Sequence, residues 1–466
     1  MSAATSITLS PKANHPTGNF KVSGTGFGAT EAVDIYFDIT DLQLAVTDAS
    51  GNFSNIQIAV PALAVPGTHW ITAVGRHTGD AGQKDFTVRT DWVEHGFAPR
   101  GKRFNPYENV LNKGNVAQLD ISWQANAGFS VFNSPAVAKG VVYVGSSNGK
   151  LYAFDAATGA TLWTATTGDS IVSSVAVADN VVYAASLDSK LYAFKVTTGA
   201  TLWTTVTGTA YSSPAVANGV VYVGSFSSHE LIAIKATTGA PLWTALTGDA
   251  VDSSPAVANG VVYVGSNDGK VYAFNAATGA ALWTATTGFY VDSSPAVANG
   301  VVYVGSEDTK LYAFNAVTGV TLWTAPTGNS IASSPAVANG VVYVGSEDGK
   351  VYAFNAATGA ALWTANTGDI IVSSPAVTNG VVYIGSFNDN LYAFNALTGA
   401  TLWTATMGDE IHSSPVVADG VVYATSFDGH VDAFALNAGN KAAYKRDTRP
   451  PSFSSLHPDR NLRPAN

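Results

Sequence analysis

Short apolar runs separated by turn residues fill most of the chain, and one forty-residue unit shows the whole pattern. The unit that begins at Asp252 contains the runs SSPAVA, VVYVGS, KVYAFNA and AALWTA, separated by turns that contain the pairs NG, DG and TG. Asn-Gly and Asp-Gly favour two-residue hairpins, because both central positions require positive φ. The run VVYVG is apolar at every position, which indicates a strand that is covered on both faces. We therefore predict that each unit is a four-stranded antiparallel meander.

Tryptophan marks the same position in successive units. It recurs at forty-residue intervals, at Trp123, Trp163, Trp203, Trp243, Trp283, Trp323, Trp363 and Trp403. A period of this length with strand-like content is typical of a propeller or a solenoid. Burying one indole removes roughly 150–250 Å² from water, which stabilises the fold by about 4–6 kcal/mol at most. We therefore interpret these tryptophans as structural docking contacts between units rather than as a sugar-binding surface.

The two ends of the repeat region complete each other. The run LDISWQA around Trp123 matches a fourth strand, but no first three strands precede it. The last unit ends with HVDAFAL at 430–436, which matches a third strand and has no fourth strand after it. Pairing the two fragments gives eight complete sheets, and radial stacking around an axis protects their edges. The sequence therefore predicts an all-β chain with an eight-bladed propeller over 119–436, closed by its N-terminal strand.

Three segments outside the repeat differ from it in composition. Residues 1–90 alternate apolar and polar positions in runs such as FKVSG and VDIYFD, which predicts a small β-sandwich of about seven strands. Residues 91–118 have no period and mix charge, Gly, Pro and aromatic residues, so we predict a packed connector. Residues 437–466 carry six Lys or Arg against two acids, together with four prolines. This composition predicts an extended basic C-terminal tail.

Charge and composition exclude several classes of function. The net charge is −10, which argues against a nucleic-acid partner and against docking on an anionic membrane. Charged residues make up only 12% of the chain, about half the usual share, so many side chains must lie between packed surfaces. The chain has no cysteine, which excludes disulfides and cysteine chemistry. The sequence shows no transmembrane segment and no signal peptide at its start.

The repeat resembles that of a known family. The unit LYAFDAATGATLW at 151–163 is similar to the repeat of pyrroloquinoline-quinone-type propellers, and NVAQLDISW at 115–123 resembles the run by which these proteins enter the ring. In quinoprotein alcohol dehydrogenases, the matching positions form a docking motif between blades. In one copy these positions are Ala153, Asp155, Thr158, Gly159 and Trp163. The N-terminal stretch SGTGFGATEAVDIYFD also resembles the immunoglobulin-like TIG domains of bacterial surface proteins.

The resemblance implies a fold more specifically than an activity. The dehydrogenases place a vicinal cystine against the quinone, with acidic residues and an Asn around Ca²⁺, and they carry long inserted loops. This chain has no cysteine, and its units keep to about forty residues. A similar propeller also serves as a non-enzymatic lipoprotein of bacterial outer-membrane assembly and as envelope sensor domains. We therefore expect no cofactor, with Ca²⁺ or pyrroloquinoline quinone as the alternative.

Positions that differ between the repeated units, at the same place in each unit, are the ones most informative about function. The loop before the Ser-Ser pair joins an outer strand to the next inner strand, so it opens onto one end of the central channel. The residue just before the pair is Phe132, Val172, Tyr211, Asp252, Asp292, Ala332, Val372 and His412 in successive units. We predict Phe132, Tyr211, Asp252, Asp292 and His412 as ligand-binding candidates on this rim. Asp252 and Asp292 could hold a hydrated cation, although Ca²⁺ usually takes more oxygen ligands. The alternatives are a merely solvated channel mouth and a catalytic dyad.

The leading hypothesis is a non-catalytic binding or scaffolding propeller, secreted or associated with the bacterial cell envelope. Its contact would be the acidic channel rim, with a protein, a small molecule or a glycan as the ligand. A quinone- or metal-dependent oxidoreductase is the first alternative. A self-assembling structural surface protein is the second, because the blades are so uniform.

Overall fold

The computed structural model describes residues 4–436, and the predicted basic tail lies outside the described residues. The chain divides into two compact units after Thr90. Each unit is built almost entirely of β-strands, and the only helix among the described residues is one short 3₁₀ turn.

The first unit contains eight strands in two sheets. They are β1 (Ser6–Ser10), β2 (Ala13–Asn14), β3 (Asn19–Thr25), β4 (Ala32–Phe37), β5 (Thr40–Val46), β6 (Phe53–Ala59), β7 (Gly67–Gly75) and β8 (Ala81–Val88). One sheet has the order β1-β3-β6, and the other has the order β2-β8-β7-β4-β5. All pairs are antiparallel except β2 with β8, which is parallel. The sequence predicted about seven strands, and β2 is too short to leave a pattern of alternating residues.

The two sheets of the first unit enclose one apolar core. Phe20 and Val22 on β3 lie in the same cluster as Ile35 on β4, Ile71 on β7 and Phe86 on β8. These residues alternate with exposed ones along β3, as expected for a sheet with one covered face. The unit is therefore the small β-sandwich that the sequence predicted, while its immunoglobulin-like topology stays a prediction.

The second unit begins with the connector and ends with a ring of eight four-stranded sheets. The 3₁₀ turn Val116–Gln118 leads into β9 (Leu119–Asn126). Blades 1 to 4 follow in chain order. Blade 1 is β10 (Ala136–Ala138), β11 (Val141–Gly145), β12 (Lys150–Asp155) and β13 (Thr161–Thr166). Blade 2 is β14 (Ala176–Ala178), β15 (Val181–Ser186), β16 (Lys190–Lys195) and β17 (Thr201–Val206). Blade 3 is β18 (Ala215–Ala217), β19 (Val220–Ser225), β20 (Glu230–Lys235) and β21 (Pro241–Leu246). Blade 4 is β22 (Ala256–Ala258), β23 (Val261–Ser266), β24 (Lys270–Asn275) and β25 (Ala281–Thr286).

Blades 5 to 8 repeat the same arrangement. Blade 5 is β26 (Ala296–Ala298), β27 (Val301–Gly305), β28 (Lys310–Asn315) and β29 (Thr321–Pro326). Blade 6 is β30 (Ala336–Ala338), β31 (Val341–Ser346), β32 (Lys350–Asn355) and β33 (Ala361–Asn366). Blade 7 is β34 (Ala376–Thr378), β35 (Val381–Gly385), β36 (Asn390–Asn395) and β37 (Thr401–Thr406). Blade 8 is β38 (Val416–Ala418), β39 (Val421–Thr425) and β40 (His430–Leu436), completed by β9.

The ring closes as the sequence predicted. β40 pairs with β9 in antiparallel register from Leu436 opposite Leu119 to His430 opposite Asn126. The two strands lie about three hundred positions apart in the sequence, yet they form the same pair that β24 and β25 form within blade 4. The predicted all-β, eight-bladed propeller closed by its N-terminal strand is therefore confirmed.

The tryptophans lie at the junctions between neighbouring blades. The indole Nε1 of Trp243 on blade 3 donates a hydrogen bond to the carbonyl of Ala276 on blade 4, at 3.1 Å. At the closure, Trp403 makes the same bond to the carbonyl of Leu119. Among the described residues, a glycine of the next blade lies against seven of the eight rings, all but that of Trp403, and a Cβ built on Gly279 would come within 2.7 Å of the Trp243 ring. Seven junctions thus combine one hydrogen bond with one close glycine contact, and the junction at the closure shows the hydrogen bond.

The inner strands are shorter than the sequence predicted. In blade 4 the run SSPAVA contributes only Ala256–Ala258 to the sheet. The preceding serines bond elsewhere. The second serine position of each unit forms a continuous ring, which we call the serine ring, in which the N–H of one residue donates to the Oγ of the next at 2.9–3.0 Å. The ring runs through Ser134, Ser174, Ser213, Ser254, Ser294, Ser334, Ser374 and Ser414, and back to Ser134.

The connector lies in the central channel and bonds to every blade. Seven inner strands donate the N–H of their central valine to it. These bonds are Val137 to Trp92 O, Val177 to Val93 O, Val216 to Glu94 Oε2, Val257 to Pro99 O, Val297 to Arg100 O, Val337 to Lys102 O and Val377 to Arg103 O. In blade 8 the direction reverses, and Asn105 Nδ2 donates to Val417 O at 2.9 Å. The segment 92–105 therefore pairs the inner-edge valine N–H of seven blades and the valine carbonyl of the eighth, which would otherwise be buried without these partners.

Candidate functional site

The loops before the serine ring and the hairpins between second and third strands meet at one end of the channel, which we call the rim. Asn267, in the hairpin of blade 4, donates from Nδ2 to Asp252 Oδ2 at 3.0 Å. Phe427, in the hairpin of blade 8, packs on Phe132 with ring centroids 4.9 Å apart. Each blade therefore contributes two variable positions to the rim, one from each loop.

Carboxyl groups cluster on blades 4 to 6 of the rim, in what we call the acidic arc. It consists of Asp252, Asn267, Asp292, Glu307 and Glu347. The Asp292 and Glu307 side chains lie close enough to interact directly. The Oδ1 atoms of Asp252 and Asp292 are out of contact with solvent and meet no N–H or O–H donor. Among the described residues, none of these four carboxyls pairs with a Lys or Arg.

Burial and mutual repulsion raise the pKa values of the acidic arc. Burial raises the pKa of Asp292 to about 7, and the charges of Asp252, Glu307 and Glu347 contribute to this rise. Burial also raises the pKa of Asp252, against the hydrogen bond from Asn267. The pKa of Glu347 rises for the same reasons, burial first and then the charge of Glu307. The arc therefore carries a proton near neutral pH, which lowers its net negative charge.

Aromatic rings gather on the opposite side of the rim, on blades 7, 8 and 1. His412 contacts the rings of Phe387 and Phe132 at centroid distances of 4.2 and 5.6 Å. Phe427 completes this group, which we call the aromatic arc. His412 Nε2 also lies 3.1 Å from Glu410 Oε2, so a carboxylate is in position to bind the imidazolium form.

Further aromatic side chains on the same loops are exposed to solvent. Tyr211 packs edge-on against Phe226, and both rings are more than 40% exposed. In the loop between blades 4 and 5, Phe289 and Tyr290 stack at 4.2 Å and are likewise about half exposed. Exposed aromatic pairs on a folded surface are unusual unless another molecule covers them.

The sequence identified one of the two variable positions on the rim. The structure brings the five predicted candidates to the same channel mouth, and their role in ligand binding stays a prediction. The hairpin position after the second strand was missed. It reads Ser147, Leu187, Phe226, Asn267, Glu307, Glu347, Phe387 and Phe427 around the ring. The variation at this position is visible in the sequence. It was missed because most units have an acidic residue directly after it, and hairpin chemistry alone explains that acidic residue.

The acidic arc does not by itself supply a complete metal site. Within residues 4–436, no three His, Cys, Asp or Glu side chains converge closely enough to hold one ion. Asp252 and Asp292 offer two carboxylates, and Asn267 adds one amide oxygen, whereas Ca²⁺ takes six to eight oxygens. The cation hypothesis for Asp252 and Asp292 therefore stays a prediction that requires several waters in the coordination sphere.

Comparison with known proteins assigns the repeat. A family model described as outer membrane protein assembly factor BamB matches residues 112–214, 208–289, 267–369 and 347–460, which together cover most of the chain. The chain belongs to this family. Its pyrroloquinoline-quinone-like propeller is thereby confirmed from sequence as well as from the fold. No helix among the described residues is long and apolar enough to cross a membrane.

Solved structures and one curated protein show how widely the family's fold is used. BamB from Moraxella catarrhalis is 22% identical and aligns over 68% of this chain and 99% of its own, with a TM-score of 0.61. A quinohemoprotein alcohol dehydrogenase from Comamonas testosteroni is 16% identical and aligns over 74% of this chain and 80% of its own, with a TM-score of 0.64. Lupanine 17-hydroxylase [cytochrome c] of a Pseudomonas species is 37% identical over 86 residues, which is 18% of this chain and 12% of that protein. At these identities and coverages the similarity establishes the fold and leaves the activity open.

Proposed function

We propose that this chain is a non-catalytic binding propeller whose partner docks on the rim. One observation carries the proposal: the side chains that differ between blades gather on the rim, whereas the tryptophan and serine positions that join the blades are nearly uniform. Structural demands explain the uniform positions, because every junction needs the same contact. They do not explain why exposed aromatic pairs and a cluster of carboxyls lie at one end of the ring. Aromatic anchors bordered by polar groups are typical of protein–protein contacts.

The charge of the rim indicates the kind of partner. The carboxyls of the acidic arc face one another without a basic counterpart among the described residues, so Lys or Arg side chains of a partner would neutralise them. The exposed rings of Tyr211, Phe226, Phe289 and Tyr290 offer apolar surface beside the acidic arc. We therefore expect a protein surface that combines basic and apolar residues. We also propose a secreted or cell-envelope location, in line with the assembly factor that the family model describes.

Matched variants test the role of the rim. Immobilised full-length chain carrying Tyr211→Ser, Phe289→Ser and Asp292→Asn should retain less than about a tenth of the envelope proteins that the unchanged chain retains, since a few anchors carry most binding energy. A control with Leu162→Ser, Leu202→Ser and Leu282→Ser changes equally exposed side chains on outer strands far from the rim. The control should bind like the unchanged chain. Equal binding by the rim variant, at equal folded amount by circular dichroism, contradicts the proposal.

An oxidoreductase is the second candidate, and one observation favours it. The acidic arc contains carboxylates and an amide, which is the type of donor set that the quinoprotein dehydrogenases use around Ca²⁺, and the curated relative is a hydroxylase. The fit is incomplete, because the arc lacks a third converging carboxylate and the chain has no cysteine to form the vicinal cystine. We therefore derive no catalytic step through a quinone.

A further inference from the structure

A small cavity lies in the central channel between the connector and the serine ring. Its volume is about 20 Å³, which is room for one water molecule or one monatomic ion. Ser213, Ser254, Ser294 and Ser334 line one side of it, and Glu94, His95 and Arg103 of the connector line the other. The cavity is separate from the rim carboxyls, because none of the acidic arc lines it.

The serines present unused donors to this cavity. Each serine Oγ in the ring already accepts an N–H from the preceding blade, for example Ser213 N to Ser254 Oγ at 2.9 Å. The hydroxyl proton is therefore left to be donated. In the part of the chain that the structure describes, the hydroxyls of the four cavity serines have no acceptor among the protein's hydrogen bonds. A donor without an acceptor in a dry site is costly, so an acceptor is expected in the cavity.

A buried positive charge adds to these donors. Arg103 is fully buried, and its guanidinium donates to the carbonyls of His95, Pro375 and Pro415. Among residues 4–436 it forms no ion pair with a carboxylate. Burial lowers the pKa of His95 to about 3, with a contribution from the charge of Arg103, so His95 is neutral at physiological pH. Three carbonyls and the Trp92 ring, 5.6 Å from the guanidinium, partly offset this charge, but no opposite full charge does, and a buried charge without a counter-charge is destabilising by several kcal/mol in general.

Glu94 does not supply the missing negative charge. Its Oε2 accepts the N–H of Val216, and its buried Oε1 has no partner. Burial raises the pKa of Glu94 to about 8, so the carboxyl is protonated at neutral pH and is itself a donor toward the cavity. The lining thus offers hydroxyl and carboxyl donors beside one guanidinium and the unpaired Nε2 of neutral His95, with no anion among its side chains.

We propose that this cavity binds one small monovalent anion, with chloride as the physiological occupant. The anion accepts the serine hydroxyls of blades 3 to 6 and offsets the charge of Arg103. It lies where the connector meets the blades, so its binding stabilises the seated connector and with it the closed ring. Chloride binding forms and breaks no covalent bond and requires only donor groups around a space of this size.

Bromide provides a direct probe, because it replaces chloride and scatters anomalously. Crystals of the full-length chain grown in sodium bromide should show an anomalous peak in the cavity, within about 3.5 Å of the Ser254 and Ser294 hydroxyls. A cavity without an anomalous peak, filled by a water or empty, overturns the proposal.

A solution measurement with matched variants gives an independent readout. At constant ionic strength, replacing gluconate by chloride should raise the Tm of the chain by about 2 °C or more, with saturation. The shift should vanish in the double variant Ser254→Ala, Ser294→Ala. It should persist in Ser134→Ala, Ser414→Ala, which removes two bonds from the same serine ring away from the cavity. An equal chloride response in both double variants, or none in the unchanged chain, contradicts an anion site here.

Discussion

At the scale of single residues, glycine and tryptophan determine how closely the blades approach. Gly279 has a φ of 73° and touches the ring of Trp243, while Gly260 has a φ of 78° and faces open space. Both glycines therefore share the same backbone requirement, but only Gly279 also makes a junction contact. Alanine substitutions at Gly260 and Gly279 can therefore be compared: both impose the energetic cost of a left-handed backbone on alanine, and only the one at Gly279 also displaces an indole.

The comparison of these two glycines yields a prediction for stability. Gly260→Ala should lower the free energy of unfolding by about 1 kcal/mol, the usual cost of alanine at positive φ. Gly279→Ala should cost about 2–4 kcal/mol, because its Cβ would also push the Trp243 ring out of its contact. Denaturant titration of the two variants measures the difference. Equal losses in the two variants would show that the tryptophans do not dock the blades in the way that their contacts indicate.

At the scale of elements, the connector was the least predictable part of the molecule and is central to its packing. The repeat made its strands recognisable, because turn pairs and apolar runs recur at a fixed spacing. The connector has no period, and its partners are valines spread over nearly three hundred positions, so nothing local in 91–118 indicated a path around the channel. In blade 3 the N–H of the central valine donates to the side chain of Glu94, whereas in blades 1, 2 and 4 to 7 the corresponding N–H donates to a backbone carbonyl of the connector. Blade 3, where this occurs, also has a loop before its inner strand that is one residue shorter, since Ser213 follows Trp203 by ten positions whereas Ser174 follows Trp163 by eleven.

The buried carboxyl of Glu94 should make stability depend on pH. Its pKa rises from 4.5 in the unfolded chain to about 8 in the folded chain. Between these two pKa values, the folded state keeps a proton that the unfolded state loses. The contribution of Glu94 to the free energy of unfolding is therefore complete below pH 4.5 and is lost as the pH rises through about 8. His95 acts in the opposite direction only below pH 6.5, because its folded pKa is lowered.

A Glu94→Gln variant tests this linkage. Between pH 6.5 and 8.5 the free energy of unfolding of the unchanged chain should fall by roughly 2 kcal/mol through Glu94. Glu94→Gln keeps an acceptor for Val216 and cannot ionise, so that part of the decline should be absent. Asp292→Asn is the matched control, because it removes a different carboxyl, on the rim, whose pKa burial and neighbouring charges raise to about 7. A Glu94→Gln profile that parallels the unchanged chain would mean that Glu94 is ionised throughout.

At the scale of the whole molecule, the closed ring places the repeated tryptophan and serine positions between the blades and the variable side chains on the rim. The count of strands determined the architecture in advance: an unpaired fourth strand near Trp123 and a missing one after residue 436 implied closure. The rim was predictable only in part, because a loop position could be compared between units, whereas side-chain contacts across blades could not. The acidic arc brings together residues of neighbouring blades about forty positions apart, and the aromatic arc joins Phe132 to His412 across the closure of the ring, so both depend on the geometry of the ring.

The central claim is that the rim binds a partner and performs no redox chemistry, and a turnover assay tests the second half directly. The full-length chain is incubated with pyrroloquinoline quinone, Ca²⁺, an artificial electron acceptor and a panel of alcohols and sugars. The predicted result is no bleaching of the acceptor above that of a heat-unfolded control. Robust turnover that is lost in Asp252→Ala, while the variant keeps its fold, would contradict the claim and establish an oxidoreductase instead.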